Sequence, residues 1–397
     1  MTGYTGGFIL WDGDTGDLVR RYPFLRDERE LYVPFITAAV WSPDSTRLAM
    51  RIYSELRGPL LRVVAIPSGD TVWEISDAGY FTRRAWSPDG TRIATVYAQS
   101  VRSAVSVRIL DASNGQVLLD IPATRRGDGG KVKWSPNGTT LAAALDADEW
   151  GSALIFYDGL TGAELGRIPH ENSVSDFAWS PDGTRVVTVM TRVTEEKTDD
   201  QQTVRVWDVA TGAMLNRFMS RLSYVDWSPT DNLLAGSIGA SIGILDLTGS
   251  ILYQADASLV AAVWKPDGTI VAGTGLTPVL MTREGAVLPQ RPTMLAFSIE
   301  NLEANRYFGD VADGMQIDPT TFDVVGESQI RSITSVDDGG SVVFNLSGMV
   351  VVDNDWPFSI PLPPPGSYTL TATPYSEPDG QGTLGIPLTV SFTVVGD

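Results

Sequence analysis

The chain has 397 residues, more than one ordinary compact core holds, so its length predicts one large repeat domain or two domains. Its formal net charge of −19 argues against nucleic acid and anionic membranes as partners, because both require a basic footprint. It has no cysteine and a single histidine, which excludes disulfides, thiolate metal sites and sites built from several histidines.

The N-terminal segment, MTGYTGGFILWDGDTG, has neither the basic nor the apolar part of a signal peptide. It starts in the middle of a pattern that recurs later, so we expect an upstream part to be missing. The strand FILWD at 8–12 and the strand that ends near 23 predict half of a four-stranded sheet.

A five-residue motif, Trp-Ser-Pro-Asp-Gly, then recurs six times. Successive tryptophans are 45, 48, 45, 48 and 37 residues apart, a period that indicates a repeat architecture. In the fourth copy, the turn Ser180-Pro181-Asp182-Gly183 separates strands predicted at 173–179 and 184–190, and two further strands are predicted at 203–208 and 213–218. Four antiparallel strands in about 45 residues predict one blade of a β-propeller. The copies are WSPDS at 41–45, WSPDG at 86–90, WSPNG at 134–138, WSPDG at 179–183, WSPTD at 227–231 and WKPDG at 264–268.

Counting the strands leaves the number of blades open. The third-strand pattern occurs seven times and the first-strand pattern six times, so residues 8–23 lack a first half. The ring is then seven-fold with one incomplete blade, or six blades with an additional hairpin. Alanines before the motif tryptophans predict crowded inner strands, and the tryptophans themselves are predicted to pack between blades.

The segments VRVWDVATG at 204–212 and WSPDGTRVVTV at 179–189 together resemble the WD40 repeat family, over residues 8–289. The resemblance implies a hydrogen-bonded set of His, Asp, Ser or Thr, and Trp in a blade. The matching residues are His170, Asp200, Thr188 and Trp207, and only this blade can form the full set because the chain has one histidine. The motif also resembles the propeller of the periplasmic translocation protein TolB, as a second choice.

After a Pro-bracketed linker at 287–292, the repeat stops and a different alternation begins. Strands predicted at 341–348, 367–376 and 387–395 indicate a β-sandwich. The segments at 340–348 and 357–395 resemble an immunoglobulin-like (Ig-like) module of bacterial secreted and surface proteins, which implies an extracellular spacer or adhesion role. The predicted domains are therefore 1–289, a propeller, and 290–397, an Ig-like sandwich, in an all-β chain secreted by or displayed on a bacterium.

No nucleotide-binding, serine-hydrolase or zinc-protease motif is present, so we expect a non-catalytic scaffold with no cofactor. Its loops are predicted to present a surface for a protein or a glycan, with Trp150 as an aromatic anchor and four further candidates. These four are Arg125, Arg126, Tyr32 and Tyr53.

Three alternatives stay open. Loop carboxylates could form a polysaccharide hydrolase or lyase in the axial pocket, which requires two carboxylates to converge there. The same loops could bind Ca²⁺, which prefers oxygen ligands. Open strand edges at an incomplete blade could also mediate self-association.

Overall fold

The computed structural model of the chain describes most of its residues as β-strand. The chain divides into two compact units, one formed by Phe35–Leu288 and the other by Met1–Pro34 together with Pro289–Asp397. The division between Leu288 and Pro289 lies one residue from the predicted division between 289 and 290. The prediction assigns the first 34 residues to the propeller, whereas here they belong to the other unit. The described residues are 2–4, 7–12, 18–23, 35–54, 57–75, 84–98, 104–126, 130–146, 152–190, 202–239, 241–256, 259–274, 278–286, 294–301, 306–311, 314–318, 329–334, 340–355 and 357–395.

The N-terminal segment forms a three-stranded antiparallel sheet in chain order. Its strands are β1 (Thr2–Tyr4), β2 (Gly7–Trp11) and β3 (Leu18–Pro23). The sequence predicts only the second and third of these strands. The short first strand was missed because glycine and threonine in a three-residue run carry no alternation of apolar and polar residues.

Phe35–Leu288 contains six antiparallel sheets, each a meander of consecutive strands. We number them sheets 1 to 6 in chain order; the first five have four strands and the described part of the sixth has three. Sheet 1 is β4 (Phe35–Trp41), β5 (Arg47–Ser54), β6 (Gly58–Ala65) and β7 (Thr71–Ile75). Sheet 2 is β8 (Arg84–Trp86), β9 (Arg92–Ala98), β10 (Ala104–Asp111) and β11 (Val117–Arg126). Sheet 3 is β12 (Gly130–Trp134), β13 (Thr140–Asp146), β14 (Ser152–Asp158) and β15 (Glu164–His170). Sheet 4 is β16 (Val174–Trp179), β17 (Arg185–Met190), β18 (Gln202–Asp208) and β19 (Met214–Ser220). Sheet 5 is β20 (Asp226–Trp227), β21 (Leu233–Ile238), β22 (Ser241–Asp246) and β23 (Ile251–Asp256). Sheet 6 is β24 (Leu259–Trp264), β25 (Ile270–Thr274) and β26 (Pro278–Met281).

The Ser-Pro-Asp-Gly turns join the first two strands of each repeat, as predicted. In sheet 4, Asp182 accepts hydrogen bonds from Ser180 Oγ at 2.5 Å and from the backbone N of Thr184 at 3.0 Å. Gly183 closes the turn with φ of 69°, in the left-handed region that a side chain disfavours. Ser45 adopts φ of 58° at the same position of sheet 1, so the turn tolerates one non-glycine residue there.

Each hydrophobic core in this unit is shared by two consecutive sheets. Between sheets 1 and 2, for example, Val63 and Trp73 pack with Ile93 and Leu110. Equivalent clusters join sheets 2 and 3, 3 and 4, 4 and 5, and 5 and 6. Meander sheets that pack face to face in chain order are the architecture of a β-propeller.

The motif tryptophans link neighbouring sheets by hydrogen bonds as well as by packing. The indole Nε1 of Trp86 donates to Val40 O, that of Trp134 to Ala85 O, and that of Trp179 to Lys133 O, each at 3.2 Å. Every acceptor is the residue directly before the tryptophan of the preceding sheet. We call these contacts the indole bonds.

Trp41 corrects the prediction that every motif tryptophan packs between blades. It is 38% exposed, whereas the five later motif tryptophans are at most 8% exposed. Sheet 1 is the first sheet of its unit, so no preceding sheet of that unit covers this indole.

The C-terminal part of the other unit consists of two sheets. One has the order β28-β27-β30-β33 and the other β29-β36-β34-β31-β32, with β35 paired to β34. Their residues share one core that includes Phe297 and Ile330 from the first sheet and Phe344 and Phe392 from the second. The strands are β27 (Met294–Asn301), β28 (Arg306–Asp310), β29 (Met315–Ile317), β30 (Gln329–Thr334), β31 (Ser341–Leu346), β32 (Met349–Asp353), β33 (Ser359–Pro361), β34 (Gly366–Glu377), β35 (Gln381–Leu384) and β36 (Leu388–Val394).

Two local features define this two-sheet domain further. β29 pairs with β36 in parallel, while the other described pairs are antiparallel. At the start of β34, Tyr368 Oη donates to Pro364 O at 2.9 Å, tying the strand to the loop before it. Pro361, predicted as part of the proline-rich loop, instead ends β33.

Candidate functional site

The first strands of all six sheets, with the residues directly before β20, line a cavity of about 350 Å³. Most of its wall is small and apolar, as the alanines before the motif tryptophans predict. Five charged side chains interrupt this wall, and sequence reasoning singled out none of them as a site. They are Arg84, Lys131, Lys133, Asp176 and Asp226. We call this space the axial cavity.

Asp176 is the centre of the charged cluster in the axial cavity. Its Oδ1 lies 3.4 Å from Lys131 Nζ and 3.5 Å from Lys133 Nζ, and its Oδ2 accepts a hydrogen bond from the backbone N of Val225 at 3.1 Å. Burial acts to raise the pKa of this carboxyl, but the ammonium groups of Lys133 and Lys131 outweigh burial and hold the pKa below its usual value. Asp176 is therefore an ionised carboxylate inside the cavity.

Asp226 behaves in the opposite way. Its Oδ2 accepts a hydrogen bond from the backbone N of Trp264 at 3.0 Å. Burial raises the pKa of this carboxyl, and the charge of Lys133 opposes the rise only in part. The charge of Asp176 adds to the rise. The two carboxyl groups thus differ in how readily they take up a proton.

Both carboxylates also connect neighbouring sheets. Asp176 in sheet 4 binds the backbone that leads into sheet 5, and Asp226 in sheet 5 binds the backbone of sheet 6. At these two interfaces the indole bonds are missing: Trp227 Nε1 and Trp264 Nε1 are buried and have no hydrogen-bond partner among the described residues. Carboxylate-to-backbone bonds therefore replace the indole bonds where sheets 5 and 6 join the series.

The remaining cationic groups have defined surroundings. Arg84, only 4% exposed, donates from Nη1 to Ala38 O in the neighbouring sheet at 3.3 Å. Lys133 Nζ reaches Val225 O at 3.4 Å and lies 5.5 Å from the ring centroid of Phe177. The Lys133 side chain is 34% exposed, so solvent reaches the cavity.

The structure brings together three of the four residues of the implied WD40 set. His170 Nε2 lies 3.1 Å from Thr188 Oγ1, which accepts a hydrogen bond from Trp207 Nε1 at 2.9 Å. His170 Nδ1 lies 3.0 Å from Ile168 O, and because a carbonyl only accepts, Nδ1 carries the proton and Nε2 accepts from the Thr188 hydroxyl. Asp200, the fourth member, lies outside the described residues.

His170 is held in its neutral form. Burial lowers the pKa of this imidazole to about 4, with a contribution from the nearby charge of Arg205 that outweighs the favourable effect of Glu171. Arg205 itself forms an ion pair with Glu171 and donates to Glu171 Oε2 at 2.8 Å. A buried, neutral histidine with both ring nitrogens engaged has a structural role in sheet 4.

Among the loop residues that the sequence predicts as a partner surface, only Tyr53 has a described side chain. Tyr53 lies on β5 with 45% of its surface exposed. Arg125 and Arg126 lie on β11, and their side chains are outside the described residues, as are Trp150 and Tyr32 as a whole. These residues remain candidates on the strength of the sequence alone.

Metal-ligand groups and membrane-spanning helices are both absent from the described part of the chain. No group of three or more His, Asp or Glu side chains there is arranged to hold a metal ion. No helix in the described ranges has the length and apolar character needed to cross a bilayer.

Residues 60–225 match the family model described as eukaryotic translation initiation factor eIF2A, which is less than half of the chain. Two solved structures share the fold. The Kuenenia stuttgartiensis hydrazine synthase is 18% identical with a TM-score of 0.51, over 62% of this chain and 75% of that one. A chain of a mitotic checkpoint complex is 16% identical with a TM-score of 0.52, over 72% of this chain and 82% of that one. No curated protein matches the sequence.

The similarity to these solved structures agrees with the sheet order and with the cores shared between consecutive sheets. Phe35–Leu288 contains a β-propeller.

Proposed function

We propose that the chain is a non-catalytic binding scaffold whose propeller loops hold a protein partner. The β-propeller fold, built from repeats that resemble the WD40 family, carries this proposal. The resemblance of residues 60–225 to a translation initiation factor model and the fold shared with a chain of a mitotic checkpoint complex support a protein partner in preference to a glycan. A rigid ring of strands that presents irregular loops is a scaffold suited to recognition.

The contacts of the strongest candidate catalytic groups also support a scaffold. His170 has both ring nitrogens engaged in sheet 4, so it has no free nitrogen to act as a general base. Asp176 and Asp226 each accept a backbone N–H across a sheet interface, which gives both carboxylates a structural role.

Partner capture by the full chain tests this proposal. Immobilised protein should retain a defined protein from a lysate of its source cells, and replacing Trp150 and Arg125 with alanine should reduce the retained amount several-fold without changing the unfolding temperature. Arg167→Gln is a matched control because Arg167 is an exposed arginine on β15, paired with Glu164, that the sequence does not assign to the partner surface. If the alanine variants of Trp150 and Arg125 retain as much protein as the unmodified chain, these loops do not hold the partner. If no protein is retained and the chain binds a glycan on an array, the partner is not a protein.

The polysaccharide hydrolase is the second candidate, because the axial cavity does hold two carboxyl groups with pKa values shifted in opposite directions. Release of reducing ends from a panel of polysaccharides would support it if Asp226→Asn abolished that release. If the unmodified chain releases no reducing ends, the result contradicts the hydrolase and favours the scaffold.

For the C-terminal part we propose an Ig-like module that acts as a spacer. The parallel β29–β36 pair and the Tyr368–Pro364 bond, which has the geometry of a tyrosine corner, support this assignment. We also propose that the protein is located outside a bacterial cell and that it self-associates through open strand edges. Sedimentation of the full chain over a range of concentrations tests the self-association, and a constant monomer mass would contradict it.

A further inference from the structure

The axial cavity contains more positive than negative charge, although the whole chain is strongly acidic. Three cationic side chains and two carboxyl groups line it, which leaves an excess of one positive charge even when both carboxyls are ionised. Isolated charge in a space of low polarity is unfavourable without a counter-charge. The cavity is therefore electrostatically suited to an anion, whereas the net charge of −19 on the chain repels anions elsewhere.

Lys133 is the cation most available to such a ligand. The polar contacts described for its ammonium group, 3.5 Å to Asp176 Oδ1 and 3.4 Å to Val225 O, are long for charge-assisted hydrogen bonds. An ammonium group has three donors, so Lys133 can form a shorter bond to an additional acceptor. Its partial exposure shows that the acceptor can arrive from solvent.

The volume and the wall of the cavity indicate what else the ligand carries. A cavity of about 350 Å³ lies within the range of small-molecule sites and is larger than a bare inorganic ion requires. Ala38, Ala39, Ala85, Val132 and Ala262 contribute the apolar part of the wall. An anionic head group at the lysines and an apolar body against this wall would use both parts of the surface.

We propose that the axial cavity binds a small organic anion with a carboxylate or phosphate head group. Lys133 contacts the head group directly. Lys131 and Arg84 supply the surrounding positive potential, and Asp226 lowers the affinity when it is ionised.

Isothermal titration calorimetry on the full chain at low ionic strength tests this site. Hexanoate and phenyl phosphate are the two probes, and they separate the carboxylate from the phosphate head group. Hexanamide, which has the same shape as hexanoate and no charge, should not bind. Binding of either anion with one site per chain supports the proposal and identifies the preferred head group, while binding of neither anion, or equal binding of hexanamide, overturns it.

Two substitutions with opposite expected effects distinguish a ligand site from a purely structural charge cluster. Lys133→Gln should weaken binding by about tenfold, because it removes the charge that contacts the head group. Asp226→Asn should strengthen binding by roughly threefold or more, because it removes a negative charge and retains an oxygen that accepts the bond from Trp264 N. A structural role alone would make both changes weaken binding or leave it unchanged.

Arg167→Gln is the control for the change in total charge. It removes one positive charge from an exposed position on β15, as Lys133→Gln does inside the cavity. Equal affinities of these two variants would overturn the assignment of Lys133, and thermal unfolding of all three variants shows whether each is folded at the temperature of the titration.

Discussion

At the scale of single residues, His170 shows how burial selects one protonation state. Its Nδ1–H donates to Ile168 O and its Nε2 accepts from Thr188, a pattern that only the neutral ring can form. Protonation would place a second donor opposite the Thr188 hydroxyl, which already accepts from Trp207. The set is therefore a stabilising feature of sheet 4 at neutral pH that acid should disrupt.

We predict that, because of His170, the stability of the propeller depends on pH even at pH values above those at which carboxyl groups titrate. The pKa of His170 is about 4 in the folded chain, against 6.5 when exposed, so the unfolded chain takes up this proton first as the pH falls. The contribution of neutral His170 to the free energy of unfolding is complete above the pKa of the unfolded chain and is lost as the pH falls from about 6.5 to 4. Between pH 7 and 5 this loss amounts to about 2 kcal/mol. Because the chain has one histidine, a single imidazole resonance in a proton NMR titration should move with a midpoint near 4. A midpoint near the exposed value would show that the ring is not buried in this way.

At the scale of elements, the turns of the first four copies use the same few polar atoms. Asp182 accepts from Ser180 Oγ, Thr184 N and Thr184 Oγ1. In sheet 3, Asn137 forms the equivalent bonds to Ser135 and Thr139, so an amide oxygen can replace the carboxylate. These bonds hold the pKa of Asp182 at about 2.

The comparison of Asp182 with Asn137 predicts two different outcomes. Asp182→Ala removes all three bonds and should lower the free energy of unfolding by about 1 kcal/mol at neutral pH. Asp182→Asn should keep most of that stability, because an amide oxygen makes the same bonds in sheet 3. Because the pKa of Asp182 is lowered in the folded chain, its ionised carboxylate stabilises the fold above the ordinary carboxyl pKa, and this stabilisation is lost as the pH falls toward 2. An asparagine does not ionise, so the free energy of unfolding of the Asn variant should depend less on acid. Urea unfolding at neutral and acidic pH measures both effects, and equal losses in the two variants would contradict this account.

The strands and turns of this fold could be predicted from the sequence because their signals are local. Pro181 and Gly183 mark a turn by their own backbone preferences, and the tryptophan that precedes them ends a strand in every copy. The three C-terminal strands predicted from alternation are also confirmed, as β31, β34 and β36.

The charged axial cavity could not be predicted in the same way, because its residues meet across the ring. Lys133 and Val225 are 92 positions apart and in contact. A signal was nevertheless present: Lys133 and Asp226 each stand directly before a motif tryptophan, where Ala85 and Ala178 occupy the same position in other copies. A charged residue in a crowded inner strand indicates a special environment, but only the structure shows which groups share it.

At the scale of the whole molecule, the propeller sheets are joined by two kinds of bond. Indole bonds connect sheets 1 to 4, and carboxylate-to-backbone bonds connect sheets 4 to 6. Arg47 and Arg92 add a further link by donating to backbone oxygens of Gly90 and Gly159 in the next sheet. Stability of the unit thus depends on a series of interfaces whose chemistry is not uniform.

We predict that equivalent tryptophans contribute unequally to this series. Trp179→Phe removes the bond to Lys133 O and leaves that carbonyl without its partner, whereas Trp227→Phe removes an indole N–H that has no acceptor in the described structure. Both side chains are buried and both changes remove similar volume, so Trp179→Phe should cost about 1 kcal/mol more. Thermal or urea unfolding followed by near-ultraviolet circular dichroism compares the two variants directly. An equal loss would mean that packing alone determines the contribution of these tryptophans.

The direction of the indole bonds has a consequence for how such a chain can change. In sheets 2 to 4, each sheet offers one donor to the sheet before it, and the acceptor is a main-chain oxygen that any amino acid provides. A copy of one of these sheets, inserted by tandem duplication, could therefore form an indole bond with the sheet before it and with the sheet after it. At sheets 5 and 6 the connection comes instead from an aspartate of the preceding sheet, Asp176 or Asp226, which accepts a backbone N–H. Sheet 6 has Val263 directly before its motif tryptophan, in the position of Asp226, so a second copy of sheet 6 would lack this bond. Growth of the ring by whole repeats is therefore easiest among sheets 2 to 4, whose donors and acceptors recur in each copy.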